Sequence, residues 1–283
     1  MKKFDFSRYI LVCRKQFVED WRRQIGFTAV MAILLFFVFW IANWQIDMMM
    51  SYNEINSDVS DGSVVFFSWY KIVMFVAVTM LAIGYQSAHS MPFMKTKTSQ
   101  IAHVVLPATT MEKYFAAETF AFVFSVIEAM VAFFIADTLQ YALTGHFTLA
   151  EISSTSSLIE ILRNSGITMN SDNATIISLS VCVIVASLFF HSAWFTFCAT
   201  LFRKHPFLFG MLILWGANQV LSIFVSSISF NFLSVIITPL KDMSNAEIML
   251  YFEEILYMLI FGQLVLAMGF WIWSYFRMKK VEL

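Results

Sequence analysis

Charge is scarce in this chain: 13% of its 283 residues are Asp, Glu, Lys or Arg, whereas 59% are hydrophobic and 32 are phenylalanine. So small a polar complement cannot cover the apolar surface of a protein of this size in water, which excludes an ordinary soluble domain. Cysteine is scarcer still. Cys13 precedes the first long apolar run and Cys182 and Cys198 lie inside the fourth, so no disulfide framework is expected. The nine glycines are scattered, and the pattern G-x-x-x-x-G-K-[ST] does not occur; the chain has no phosphate cradle of its own.

The motifs of hydrolytic chemistry are missing as well. Neither H-E-x-x-H nor G-x-S-x-G is present, and the Glu253-Glu254 pair lacks the downstream Arg of a membrane-embedded glutamate protease. The histidines at 89, 103, 146, 191 and 205 fall on different segments. His191 alone lies within an apolar run, where a lone imidazole is more often a helix–helix hydrogen-bonding group than a ligand. No enzymatic activity, metal or resident cofactor is expected.

What the sequence does contain is length in apolar runs. They cover about Phe27–Ile46, Val64–Gln86, Ala117–Thr144, Thr175–Phe202, Phe207–Ile228 and Ile255–Phe276, each near or above the ~20 residues a helix needs to cross a bilayer core. The expected fold is therefore all-α, a polytopic membrane protein with six transmembrane helices. The segments between the runs alternate in charge: those on one side hold 15 of the 18 Lys and Arg residues, and the opposite ones hold Arg163, Lys241 and eleven acids. By the positive-inside rule both termini are cytoplasmic, which six crossings permit. Because the cations follow a membrane face rather than a groove-shaped patch, nucleic acid is not an expected partner.

Residues 1–25 form a region of their own ahead of the transmembrane domain at 26–283. Phe6, Ile10, Cys13, Phe17 and Trp21 recur at spacings of three and four, with Arg8, Arg14, Lys15, Arg22 and Arg23 mostly elsewhere. That pattern predicts an amphipathic helix in the cytoplasmic interface, either a simple anchor or something more. It is not expected to be a cleavable signal peptide. On the other side, 47–63 and 145–174 look like solvated connectors. The apolar stretch from Ser229 to Glu254, broken by Pro239, looks like a segment hugging the outer leaflet before a short helix begins at Ser244.

Ionisable residues well inside the runs are Lys71 in the second and Glu128 and Asp137 in the third, with Asn218, Gln219 and Gln263 as neutral company. Each charge costs about 2.5–3.5 kcal/mol at mid-span on insertion scales, so these are candidates for a translocation path. Structural roles compete with that. Lys71 can snorkel to the headgroups, Glu128 can be held protonated by desolvation, and Lys71 and Asp137 stand at similar depth, which would let them pair.

The loop between the second and third runs holds the most specific stretch, Leu106-Pro107-Ala108-Thr109-Thr110-Met111-Glu112-Lys113-Tyr114-Phe115. Thr109 followed three residues later by Glu112 is a capping box, which predicts a helix start leading into the third span. The stretch resembles the L-P-A-[ST]-x-x-E-K-[FY] signature of small six-span permeases of the ABC-2 type. Six spans with both ends inside, an amphipathic lead-in helix and an aromatic-then-basic tail, Trp271 to Lys280, resemble that family too. The resemblance implies a dimeric membrane subunit, homo- or heterodimeric, in the cytoplasmic (inner) membrane. A separate ATP-binding cassette ATPase subunit would drive it, usually for export, and ATP would be bound by that partner rather than by this chain. It also implies that Thr109–Phe115 is the coupling segment, with Pro107, Thr109, Glu112, Lys113 and Tyr114 as its marked residues. The competing expectation is a non-transporting membrane sensor or assembly protein of the same topology.

Overall fold

A computed structural model describes residues 4–53, 60–91, 101, 104–144, 171–220 and 245–282, and among them there is helix and no strand. Residues 145–170 of the expected connector at 145–174, residues 229–244 of the apolar stretch from Ser229 to Glu254, and the loop cations Lys95 and Lys97 lie outside the described residues.

The first helix, α1, runs unbroken over Phe6–Asn53, about 70 Å at 1.5 Å per residue. Asp5 starts it: its Oδ1 accepts the Ser7 N–H at 2.9 Å. No proline follows to stop it, and a side chain at its single glycine, Gly26, would meet only open space. The amphipathic segment at 1–25 is thus continuous with the first apolar run. It keeps Phe6, Ile10, Phe17 and Trp21 exposed, and pairs Lys15 with Glu19 at 3.5 Å and Arg23 with Asp20 at 3.4 Å.

Next come α2, Ser60–His89, and α3, Thr110–Thr119, which passes through a π-helical turn at Phe120–Phe124 directly into α4, Ser125–Thr144. The Ser125 hydroxyl donates to the Ala121 carbonyl, occupying an acceptor in the widened turn. Helix α5 covers Ser171–Leu201, α6 Pro206–Val220 and α7 Asn245–Glu282. The helix expected to begin at Ser244 is the opening of α7 rather than a separate element, since neither Gly nor Pro occurs between Asn245 and Phe261. Among the described residues four stretches are long and apolar enough to cross a membrane: Phe6–Gln45, Thr110–Leu143, Ser178–Leu201 and Glu253–Lys280. The apolar stretches Val73–His89, within α2, and Pro206–Val220, which is α6, are shorter.

The chain divides into two compact units, with the divisions inside α2, between Ile83 and Gly84, and inside α3, between Tyr114 and Phe115. In the unit containing Asp5–Ile83 and Phe115–Met169, α1 packs on α4. Met31, Ala32, Leu35 and Phe39 meet the small face of α4 at Ala129, Ala132 and Ala136, and Ala82 of α2 joins them. Phe133 stands edge-on to Phe39 at 5.5 Å and to Phe75 at 4.9 Å. Nearer the chain start, the Tyr9 hydroxyl donates to Thr119 Oγ1 at 2.9 Å and Phe17 lies against Phe124 at 5.5 Å. Between Phe17–Phe124 and Phe39–Phe133 the pairing advances 22 residues on α1 but nine on its partner. The two helices therefore do not run side by side in constant register.

In the other unit α5 and α7 lie together, joined by α6 and the last turns of α2. Its centre is Phe195, 1% exposed. A methyl group built at Gly84 would come within 2.7 Å of the Phe195 ring, and one built at Gly210 within 2.8 Å. The ring is therefore held between two helix backbones that only glycine lets come this close. Phe207 stacks beside it at 5.4 Å. Ser87 and Ser192 hydroxyls bridge α2 and α5 at 3.1 Å, and Trp194 Nε1 donates to the Gly210 carbonyl at 3.2 Å. The turn from α5 to α6 places His205 in the left-handed region, φ 52°, just before Pro206 opens α6.

Gly84→Ala and Gly210→Ala are each expected to destabilise the protein by about 1–3 kcal/mol through overpacking, and Phe195→Leu in either background should restore part of that loss. Thermal unfolding of the detergent-solubilised chain measures both; unchanged melting of the alanine variants would mean that Phe195 is not clamped.

Candidate functional site

The segment singled out in the sequence folds as a capped helix start. Thr109 N–H donates to Glu112 Oε2 at 2.8 Å, and Glu112 N–H donates to Thr109 Oγ1 at 3.3 Å. Both hydrogen bonds of the capping box are therefore made, and two backbone donors that the first helical turn leaves open are satisfied. Just before it, Ala108 N–H donates to the Leu106 carbonyl at 2.8 Å, folding the chain tightly around Pro107.

From this cap the helix turns three successive side chains inward: Glu112 is fully buried, and Lys113 and Tyr114 are 5% exposed. Tyr114 reaches the last helix. Its hydroxyl donates to the Trp271 carbonyl at 3.0 Å and its ring meets Tyr275 edge-on at 5.7 Å, within a cluster completed by Met91, Ala199 and Met278. The start of α3 and the final turns of α7 are thereby tied together, so a displacement of one is passed to the other. On the outer side of the same segment Pro107 is exposed, as are Val104, Val105 and Met111, with Val105 74% exposed. This is a surface apolar enough to receive a partner, fixed to α7 by one aromatic anchor.

Of the five residues marked here by sequence, Thr109 and Glu112 are used by the cap, Lys113 and Tyr114 are buried, and Pro107 faces outward. Val104, Val105 and Met111 carried no sequence signal beyond being apolar next to a capped turn. Tyr114's partner, Trp271, lies 157 residues away, and no local pattern points to it.

The intramembrane candidates belong to the unit containing Asp5–Ile83 and Phe115–Met169. Glu128 is 7% exposed and Asp137 fully buried, and neither is without an interaction. Nine residues, about two and a half turns, separate them, so they stand at the two edges of the buried face of α4 that carries Ala129, Ala132 and Ala136. Lys71 belongs to α2, but its side chain, and with it the expected pairing with Asp137, lies outside the described residues. Other buried polar side chains in the same unit include Asn43 of α1 and Gln140 of α4. In the other unit Gln263 accepts a hydrogen bond from Ser187 at 3.2 Å, joining α5 to α7, and His191 Nδ1 donates to the Ser187 carbonyl at 2.8 Å. Among the described residues no group of three or more His, Cys, Asp or Glu is placed to hold a metal ion. A cavity of about 490 Å³ between α5, α6 and α7 is lined by Phe190, Trp194, Trp215 and Phe270 with the Asn218 amide, a largely apolar surface.

Thr109→Ala is expected to cost about 1 kcal/mol, as loss of an N-cap does, and Thr109→Ser close to nothing. Because both bonds of the box share one pair of side chains, Thr109→Ala and Glu112→Ala should be less than additive in a double-mutant cycle read by thermal unfolding; strict additivity would mean that the box does not form.

Comparison of the chain with family models, with curated proteins and with the solved structures finds no match in any of the three, so its function rests on its own residues.

Proposed function

We propose that this chain is the transmembrane permease subunit of an ATP-driven exporter of the ABC-2 type, working with a separate ATP-binding cassette ATPase chain. The observation that carries the reading is the capped segment at Thr109. It combines the sequence of the resemblance, an exposed apolar surface at Val104, Val105 and Met111, and a rigid tie through Tyr114 to the last helix. Those are the properties a coupling element needs: a face for the motor to grip and a stiff connection to the membrane-embedded helices. ATP would be bound by the partner, and two copies of such a subunit, or two related ones, would enclose the path.

The topology that goes with this has six spans in the inner membrane. The apolar stretches Val73–His89 and Pro206–Val220 would belong to the second and fifth, both termini would be cytoplasmic, and the aromatic-and-basic first part of α1 would lie along the interface.

Glu112 and Lys113 are poor probes of coupling because both are buried and Glu112 holds the cap. The outward residues are better ones. The full chain is co-expressed with a candidate ATP-binding cassette ATPase from the same genome, and Val105→Asp with Met111→Asp should lose co-purification and stimulated ATP hydrolysis while melting as wild type does. Unchanged association would remove the coupling role and leave the sensor or assembly reading in its place.

Topology has its own check. After replacement of Cys13, Cys182 and Cys198, single cysteines at positions 58, 155 and 244 should react with an impermeant maleimide from outside intact cells, and those at 97 and 280 should not. Labelling of position 97 from outside would invert the map.

A further inference from the structure

We propose that the end of α7 carries a binding site for one anionic phospholipid, whose phosphate lies between Arg277 and Lys280 and whose acyl chains lie along Gly269, Ile272 and Trp273. The site goes beyond transport: it requires only that α7 crosses a bilayer, whatever the chain does there.

The first observation is a cavity of about 520 Å³ whose described lining comes entirely from α7, namely Gly269, Ile272, Trp273, Phe276, Arg277 and Lys280. These positions recur at alternating spacings of three and one, which is a single stripe down one face of a helix. The stripe is graded. It starts with a glycine and an isoleucine, passes two aromatic rings and ends in two cations, over about 16 Å of helix. That order, apolar then aromatic then cationic, matches the order in which a bilayer goes from acyl chain through glycerol to phosphate.

The second observation is that the opposite face of the same turns is already committed to protein. Ser274 and Met278 are fully buried, Trp271 accepts the Tyr114 hydrogen bond, and Tyr275 packs on the Tyr114 ring. The cavity stripe therefore cannot turn inward, and Ile272, Trp273 and Phe276 are each more than half exposed. Helix α7 is also the least covered of the four span-length helices: 6% of its most apolar stretch is buried, against 28–44% in the others. A side chain at Gly269 would meet nothing within 4 Å, so the groove is open at its deep end.

Charge complementarity selects the occupant. Two cations at i and i+3 beside an apolar groove suit a singly or doubly anionic phosphate headgroup attached to hydrocarbon, whereas a zwitterionic headgroup would set a second cation against them. Lys279 provides an internal control, because it sits in the same turn but does not line the cavity. If the basic tail merely balanced the helix dipole or met the bulk surface potential, all three cations would count alike.

Native mass spectrometry of the full chain in mild detergent, titrated with equimolar dioleoylphosphatidylglycerol and dioleoylphosphatidylcholine, reads the preference directly. Wild-type protein should favour phosphatidylglycerol adducts. Arg277→Gln and Lys280→Gln should each reduce that preference about fivefold, and together roughly 25-fold, while Lys279→Gln leaves it unchanged. Millimolar inorganic phosphate should displace none of the bound lipid. The proposal is overturned if wild type shows no headgroup preference, if Lys279→Gln costs as much as Lys280→Gln, or if free phosphate competes the lipid away. Lipid preference without ATPase association would leave this site standing while removing the transporter reading, so the two are separable.

Discussion

Helices as apolar as these gain little by turning an oily face from an oily surrounding toward one another, so what holds them is close backbone approach. The Phe195 ring between Gly84 and Gly210 is the sharpest case. Three helices meet on one side chain, and the surrounding contacts follow from it. Ser87 comes within reach of Ser192, and Trp194 within reach of the Gly210 carbonyl. The other unit uses alanine for the same purpose, with Ala129, Ala132 and Ala136 giving α4 a flat face that Leu35 and Phe39 of α1 can fill. Where backbones are this close, polar side chains can bridge helices without long excursions, as Ser187 and Gln263 do.

Against that packing, the capped segment stands out as a place where hydrogen bonding rather than small residues sets the geometry. The Thr109–Glu112 box fixes where α3 begins, and this decides that Tyr114 falls on the inner side and Met111 on the outer. Moving the start by one residue would rotate the helix by about 100° and exchange those roles. The cap is thus both a local device and the reason that an exposed apolar surface is joined to α7.

The last helix is shared between two duties. One face of its final turns holds Tyr114 and the buried Ser274 and Met278, and the other presents the aromatic and cationic stripe. A single run of residues, Trp271 to Lys280, therefore links the capped segment on one side with the surroundings on the other.

The sequence by itself determined the helical class, the position of the apolar runs and the start of α3, because each of these depends on residues within one or two turns of each other: run length, the absence of Pro and Gly, and a Thr–Glu pair at the right spacing. It also marked Glu128 and Asp137 as costly, since that follows from charge in an apolar run alone. Tertiary structure alone decided that Glu112 and Lys113 turn inward, that Phe195 lies on two glycines from other helices, and that Arg277 and Lys280 share a cavity that Lys279 does not line. Periodicity assigns a residue to a face, but which helix meets that face depends on matching shapes contributed by residues a hundred or more positions apart. In a chain apolar on nearly every side, hydrophobicity does not distinguish one face from another.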